Sequence, residues 1–404
     1  MVLDVHSPDY REDPYAFYRK LRLGPPLCRV EPMGYLAVAR YDDVLTVLRD
    51  HKRFSYLDRA PQLQTIRGAE FMAGQVSLIA CDPPEHQRLR ALVNRAFTSA
   101  MVANLEPRIR EIADSLTNGL LEKGDFDLIL DFAIPFPVTI ISEMLGIDPS
   151  RREDFKRWSE DIVGWRNIPM IRYPELKRAR EDSLAKTGRE MTAYLDEVIE
   201  ERRREPRQDL VSALNHACFE EQRLNSSEVQ NLIRLLLIAG NETTTKLIGN
   251  MALVLLADPE LWPRLKQDPS LVPAFVEETL RFDGPVLSLT RRVTEDTELA
   301  GQPIKKGELV MALLGSANHD EKRFDRPEQF DMDRKSPSHL AFGSGIHFCL
   351  GAPLARLEAK VAIETLLNGF NGWEANGRPT RFDSFFLRGL SGLPLRLKAS
   401  TESR

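Results

Sequence analysis

Apolar residues recur along most of this chain at intervals of three and four, the spacing that gathers them on one face of an α-helix. The pattern predicts helices over Glu85–Phe97, 106–123, 136–146, 150–165 and 174–205, with shorter ones over Tyr41–Asp50 and from Pro273 to Arg281. Asp13-Pro14 offers a cap and a first-turn proline and is read as the opening of the first helix. Asn225-Ser-Ser-Glu228 has the form of a capping box with Asn as the cap. It introduces an apolar-rich helix that runs to Ala257, where Asp258-Pro259 stops it. At about 1.5 Å per residue that helix spans roughly 46 Å, enough to cross a domain. A last helix is predicted from about Leu350 to Leu367.

Extended segments are few. Leu27–Val30 and Tyr35–Arg40 read as a hairpin around Pro32-Met33-Gly34, and Phe382–Leu397 reads as strands and turns. Arg53 to Asp82 and Asn318–Ser338 are irregular; a connection as long as the first often belongs to a binding site, or is simply a surface loop. Arg88 and the Glu201–Glu205 charge run read as solvated surface groups. With no repeat and no Gly/Ser linker, residues 1–404 are read as one mainly α domain with a minor β portion.

Composition narrows the class without choosing a function. The 404 residues carry 55 Lys+Arg against 60 Asp+Glu, a net charge of −5 that gives no reason to expect nucleic acid or an anionic membrane as partner. Apolar residues at 42% supply a sizeable core. No run of about 18 apolar residues is present to span a bilayer. The N-terminal residues lack the basic and apolar regions of a signal peptide, so a cytoplasmic location is expected. Cys28, Cys81, Cys218 and Cys349 are scattered, which argues against a disulfide framework or a cysteine-rich metal cluster.

The most informative segment is Phe342-Gly-Ser-Gly-Ile-His-Phe-Cys-Leu-Gly351. Its glycines allow a tight loop against something bulky and flat, and Cys349 is placed where a helix begins, with Pro353 in the first turn. A helix N-terminus favours a thiolate. Such a thiolate serves as nucleophile with His347 as base, as redox centre or as metal ligand; a buried structural cysteine is the fourth reading.

That segment resembles the cysteine loop of the cytochrome P-450 family, F-G-x-G-x-H-x-C-x-G, at every fixed position. Three further segments agree in the family's order. Ala239-Gly-Asn-Glu-Thr-Thr244 is similar to its oxygen-binding stretch, Glu278-Thr-Leu-Arg281 to its E-x-x-R pair, and His86-Gln-Arg-Leu-Arg90 to its H-x-x-x-R. Glycine inside a helix costs about 1 kcal/mol against alanine, which makes sense if Gly240 must leave room for a ligand. Where the family often places a third arginine, Pro327-Glu-Gln-Phe330 has Gln329; Arg334 or His339 could replace it.

The resemblance implies the family's fold and haem b (iron protoporphyrin IX) with Cys349 as axial thiolate. Phe342, Gly343, Gly351, Ala239 and Gly240 would frame the haem, while His86, Arg90, Arg291 and His347 would hold its propionates. Glu242 and Thr243 form an acid–alcohol proton relay, and Glu278 with Arg281 is a structural pair. The implied reaction puts one atom of O2 into a lipophilic small molecule by hydroxylation or epoxidation, with electrons from a separate ferredoxin or flavodoxin and its reductase. That partner would dock on the cysteine-loop side, with Arg356 contributing. Substrate contacts are expected from the 57–80 loop including Leu78, from Leu236 and Ala239, from Val286, Leu287 and Leu289, and from Phe386 and Leu387. A monomer is expected. Competing readings are a peroxygenase or isomerase on the same haem, a non-enzymatic haem sensor, and a hydrolase built on Cys349 and His347.

Overall fold

Capping side chains set several of the helices in the computed structural model, which describes residues 2–56, 69, 71, 77–164, 173–335 and 338–398. Asp13 accepts the Tyr15 N–H at 3.0 Å and starts Pro14–Leu23 as expected. It does not start the first helix, however. Ser7 caps a short helix, Pro8–Glu12, by accepting the Tyr10 N–H at 3.1 Å. That five-residue helix is too short to carry a periodicity. The capping box is reciprocal: the Glu228 N–H donates to Asn225 Oδ1 at 3.0 Å, and the Asn225 N–H to Glu228 Oε2 at 2.9 Å. The helix it opens, Ser226–Ala257, matches the predicted span. The helices at Glu106–Lys123, Pro135–Leu145, Arg152–Gly164 and Pro174–Arg204 also agree within a residue or two, position 165 lying outside the described residues.

The chain divides into two compact units. The first comprises 1–55, 105–136 and 243–404 and holds most of the β structure. Its main sheet has six strands in the order Val2–Asp4, Cys28–Glu31, Tyr35–Val38, Leu309–Leu313, Ser288–Val293 and Phe54–Ser55. Cys28–Glu31 and Tyr35–Val38 form the expected antiparallel hairpin. Val38, Val44, Phe54, Val310, Phe324 and Leu340 belong to the apolar cluster beneath this sheet. Helices Glu106–Lys123, Val272–Phe282 and Ala352–Gly369 complete the unit.

Among the described residues, the second unit, 56–104 and 137–242, is mainly helical, with the two-residue strands Cys218–Phe219 and Gln222–Arg223. The boundary falls inside the helix Ser226–Ala257, after Glu242. Two charged groups here depart from the surface role expected of them. Arg88 ion-pairs with both Glu85 and Glu228, fastening its helix to the start of Ser226–Ala257. Within the Glu201–Glu205 run, Arg202 is buried, pairs with Asp209 and donates to the Gly146 carbonyl at 2.7 Å. Both corrections have one cause: Glu228 and the Gly146 carbonyl reach these arginines from distant sequence, so local charge patterning cannot show the contacts.

Candidate functional site

The cysteine loop is a tight structure held by its own backbone. The Gly343 N–H donates to the Leu340 carbonyl at 2.8 Å, and the Cys349 N–H to the Phe342 carbonyl at 3.0 Å. Gly343 and Gly345 both have φ of +73°, a conformation that favours glycine. A Cβ on Gly345 would lie 2.8 Å from the Leu48 carbonyl oxygen, so this glycine also lets the loop rest on the helix Tyr41–Arg49. The helix after the loop begins at Ala352, three residues beyond Cys349, so the thiol precedes the helix rather than lying in its first turn.

Around the loop the first unit builds a charged support. Arg356 donates to Glu277 at 2.6 and 2.9 Å, and its guanidinium sits 4.5 Å from the ring centroid of Phe342. His339 shares the same carboxylate at 3.2 Å. The Ala341 N–H donates to His339 Nδ1, which places the ring proton on Nε2, facing Glu277. Burial pushes Glu277 upward, but hydrogen bonds from His339 and Arg356 outweigh it and hold the carboxyl at about 2. Arg356 is thus engaged with Glu277 and Phe342 and is only partly exposed; it is a support of the loop more than a free docking cation. Glu277 was not singled out in the sequence, although the doubled Glu277-Glu278 was visible there.

Glu278 and Arg281 pair as predicted, through Nε at 2.9 Å and Nη2 at 2.7 Å, and both are buried. Arg281 also donates to the carbonyls of Asn318, Pro327 and Gln329. The third partner is Arg334, whose Nε lies 3.3 Å from both Glu278 oxygens. Gln329 takes part only through its carbonyl, and His339 faces Glu277 instead.

Of the expected propionate ligands in this unit, Arg291 is 2% exposed on the strand Ser288–Val293. Arg292 turns away to the Gly307 carbonyl, so burial agrees with the choice of Arg291. His347 lies in the short turn Gly345–His347. In the second unit, His86 is buried and Arg90, one turn later on the same helix, is half-buried on the same face. Glu242 and Thr243 are half-buried on the long helix, and Gly351 precedes the last one.

These residues fit a flat, anionic, iron-bearing group on two observations. In the long helix, Ala239 is exposed, and a Cβ on Gly240 would meet nothing within 4 Å. At the loop, Phe348 is 42% exposed and Cys349 is partly exposed. In the first unit, Arg291 and His347 are a cation and an imidazole, the chemistry that carboxylates require.

Glu358 was missed. It is buried on the helix Ala352–Gly369 and its carboxyl is pushed up to about 8 by burial, partly offset by a hydrogen bond with Thr244. The signal was an acid on the apolar stripe of Leu354, Val361 and Ala362.

Among the expected substrate contacts, Leu78 is buried, while 57–68, 70 and 72–76 lie outside the described residues. Leu236, Val286, Leu289 and Phe386 are half-buried. Leu289 approaches the cysteine loop at Gly343. Leu287 is buried against Gly315, and Leu387 is buried in a bridge with Val286.

The family model described as Cytochrome P450 matches residues 11–391. Cytochrome P450 107B1 of Saccharopolyspora erythraea is 38% identical over 402 residues, covering 96% of each chain. Among solved structures, cytochrome P450 CYP109Q5 from Chondromyces apiculatus is 42% identical with a TM-score of 0.88, over 99% of both chains. CYP109E1 from Bacillus megaterium, solved in complex with testosterone, is 36% identical with a TM-score of 0.85, over 96% of this chain and 100% of that one.

Proposed function

Because this chain belongs to the cytochrome P450 family of haem–thiolate mono-oxygenases, we propose that it inserts one atom of O2 into a lipophilic small molecule, using haem b and electrons from a separate ferredoxin or flavodoxin and its reductase. The single observation that carries this reading is the cysteine loop, whose backbone folds tightly around a partly exposed Cys349. The haem, when bound, supplies the activation of dioxygen. Cys349 provides the axial thiolate, and Arg291 and His347, with His86 and Arg90, provide the propionate donors by the family motifs they occupy. Phe342, Gly343, Gly351, Ala239 and Gly240 frame the haem faces in the same sense. We read residues 1–404 as one catalytic domain, which the extent of the family match supports.

Glu242 and Thr243 do the acid–base work. The Thr243 hydroxyl donates and accepts at Oγ1, and the Glu242 carboxyl exchanges protons with water. Peroxygenases of the family replace this pair, and its presence favours the oxygenase over that alternative and over a non-enzymatic sensor. By their positions in the family, Leu78, Leu236, Ala239, Val286, Leu287, Leu289, Phe386 and Leu387 would contact the substrate; their apolar character suits a lipophilic one, the class of the testosterone bound by CYP109E1. Among the described residues no helix is long and apolar enough to cross a membrane. A cytoplasmic monomer is the state we propose.

The deciding experiment is the carbon monoxide difference spectrum of the reduced protein. A strongly red-shifted Soret band is expected, and Cys349→Ala should abolish it. A histidine-type band, or its persistence in Cys349→Ala, would overturn the ligand assignment. Thr243→Ala should keep the band yet release peroxide in place of product; full coupling in that variant would remove Thr243 from the relay.

A further inference from the structure

Two segments of the first unit that carry expected substrate contacts meet at a short bridge. The chain leaving the helix Val272–Phe282 bears Val286 and Leu289, and the C-terminal turn bears Phe386 and Leu387. The Leu287 N–H donates to the Phe386 carbonyl at 2.9 Å, and the Arg388 N–H to the Pro285 carbonyl at 2.8 Å. Val286 therefore stands opposite Leu387. Backbone bonds of this kind contribute modestly once water is accounted for, so a pair of them fixes a register only weakly. A slip of one residue would exchange the faces of Phe386 and Leu387.

Side chains pin the same register. Arg388 Nε donates to Asp283 Oδ1 at 2.6 Å, and the two side chains are only 8% and 12% exposed. Tyr15 OH donates to the same oxygen at 2.7 Å. Asn250 is fully buried on the long helix; its Nδ2 donates to the Asp283 carbonyl at 2.6 Å and to the Arg388 carbonyl at 3.2 Å. One amide group thus ties the main chains of the two residues whose side chains form the ion pair. Arg388 Nη1 also reaches the Glu12 carbonyl at 3.2 Å. Beside it, a Cβ on Gly389 would lie 2.5 Å from the Lys246 side chain, so this glycine lets the turn rest on the long helix. A one-residue slip would bring Leu387 or Gly389 opposite Asp283, and neither can pair with it. The buried charges left apart would cost more than the backbone bonds contribute.

We propose that Asp283, Arg388 and Asn250 are positioning residues for substrate selectivity: they lock Val286 against Leu387 and so determine which side chains of the two segments meet the substrate. The proposal rests on the reading that those side chains contact substrate.

The test uses the haem-loaded full chain as Asp283→Ala, and as the double variant with Arg388→Met, which leaves no unpaired charge. Amide hydrogen exchange is measured, together with the affinities of imidazole and of clotrimazole, an imidazole bearing bulky aryl groups, read from the Soret shift. In Asp283→Ala the Leu287 and Arg388 amides should exchange at least about tenfold faster while those of Tyr35–Val38 stay unchanged. The ratio of clotrimazole to imidazole affinity should fall about tenfold. The double variant should regain Tm yet keep the fast exchange and the low ratio, because the buried charge is gone but the clamp is not restored. Exchange and ratio that recover with Tm, or faster exchange at all amides alike, would show a merely structural pair and overturn the proposal. Phe386→Ala separates the two readings. A ratio unmoved by Phe386→Ala refutes the substrate contact itself, whereas one moved by Phe386→Ala but not by Asp283→Ala overturns only the positioning role. If Asp283→Ala does not fold, Tyr15→Phe, which takes one hydrogen bond from the same carboxylate, should give the same localised exchange and a smaller fall in the ratio.

Discussion

Glu278→Gln is the most exacting test of how the cysteine-loop region is held. In the parent, the carboxylate accepts two hydrogen bonds from Arg281, one from the Asp331 N–H at 2.9 Å, and a longer pair from Arg334. Side-chain exposure is 0% for Arg281, 3% for Glu278 and 9% for Arg334, so solvent screens these charges little. Removing the one anion leaves two buried guanidinium groups with only carbonyls as partners. Breaking a buried pair in this way costs about 3–5 kcal/mol. The three carbonyls already serving Arg281 soften the loss, which places the expectation near the lower end, about 3 kcal/mol. Denaturant unfolding of parent and variant at equal haem content, followed by far-ultraviolet circular dichroism, measures it. A double-mutant cycle with Arg334→Gln should show coupling of about 1 kcal/mol or more, since both groups share one carboxylate. A loss below about 1 kcal/mol, the level of an exposed ion pair, would refute the argument.

Other outcomes follow from the same structure. Glu358, with a folded pKa near 8 against an ordinary value near 4.5, binds a proton in the fold that the unfolded chain releases. Stability should therefore fall as pH rises between those values, by up to about 1.4 kcal/mol per unit, and Glu358→Gln should flatten that slope relative to the parent. An unchanged slope would place the carboxyl in water. His319 has the opposite sign: burial holds it at about 3, so it is neutral in the fold, and its contribution is lost as pH falls from about 6.5 toward 3. Acid titration of His319→Asn should show a shallower loss over that window. Gly345→Ala combines a positive φ with a backbone clash at Leu48 and should cost about 1–3 kcal/mol and lower haem retention, read from Tm and haem content; a neutral result would mean the loop does not rest on that helix.

Much of this protein is written locally. Apolar spacing and caps such as Asp13 and the Asn225–Glu228 box act within a turn of the chain, so the long helices were legible to within a residue or two, whereas short ones such as Pro8–Glu12, Ser99–Asn104, Leu210–His216 and Leu261–Gln267 were not. The cysteine loop, the Glu242-Thr243 pair and the Glu278–Arg281 spacing are contiguous motifs, and they fixed the family and the kind of chemistry before any coordinates. What tertiary structure decided is which charges find partners. Arg88 and Arg202 left the surface because Glu228 and Asp209 were brought to them. Arg334 rather than His339 completed the buried pair, and Glu277 was recruited to hold Arg356 against Phe342. Glu358 became a weak acid only when folding removed water from around it. Periodicity and motifs are properties of neighbouring residues, whereas the energy of a charge depends on everything that surrounds it in space.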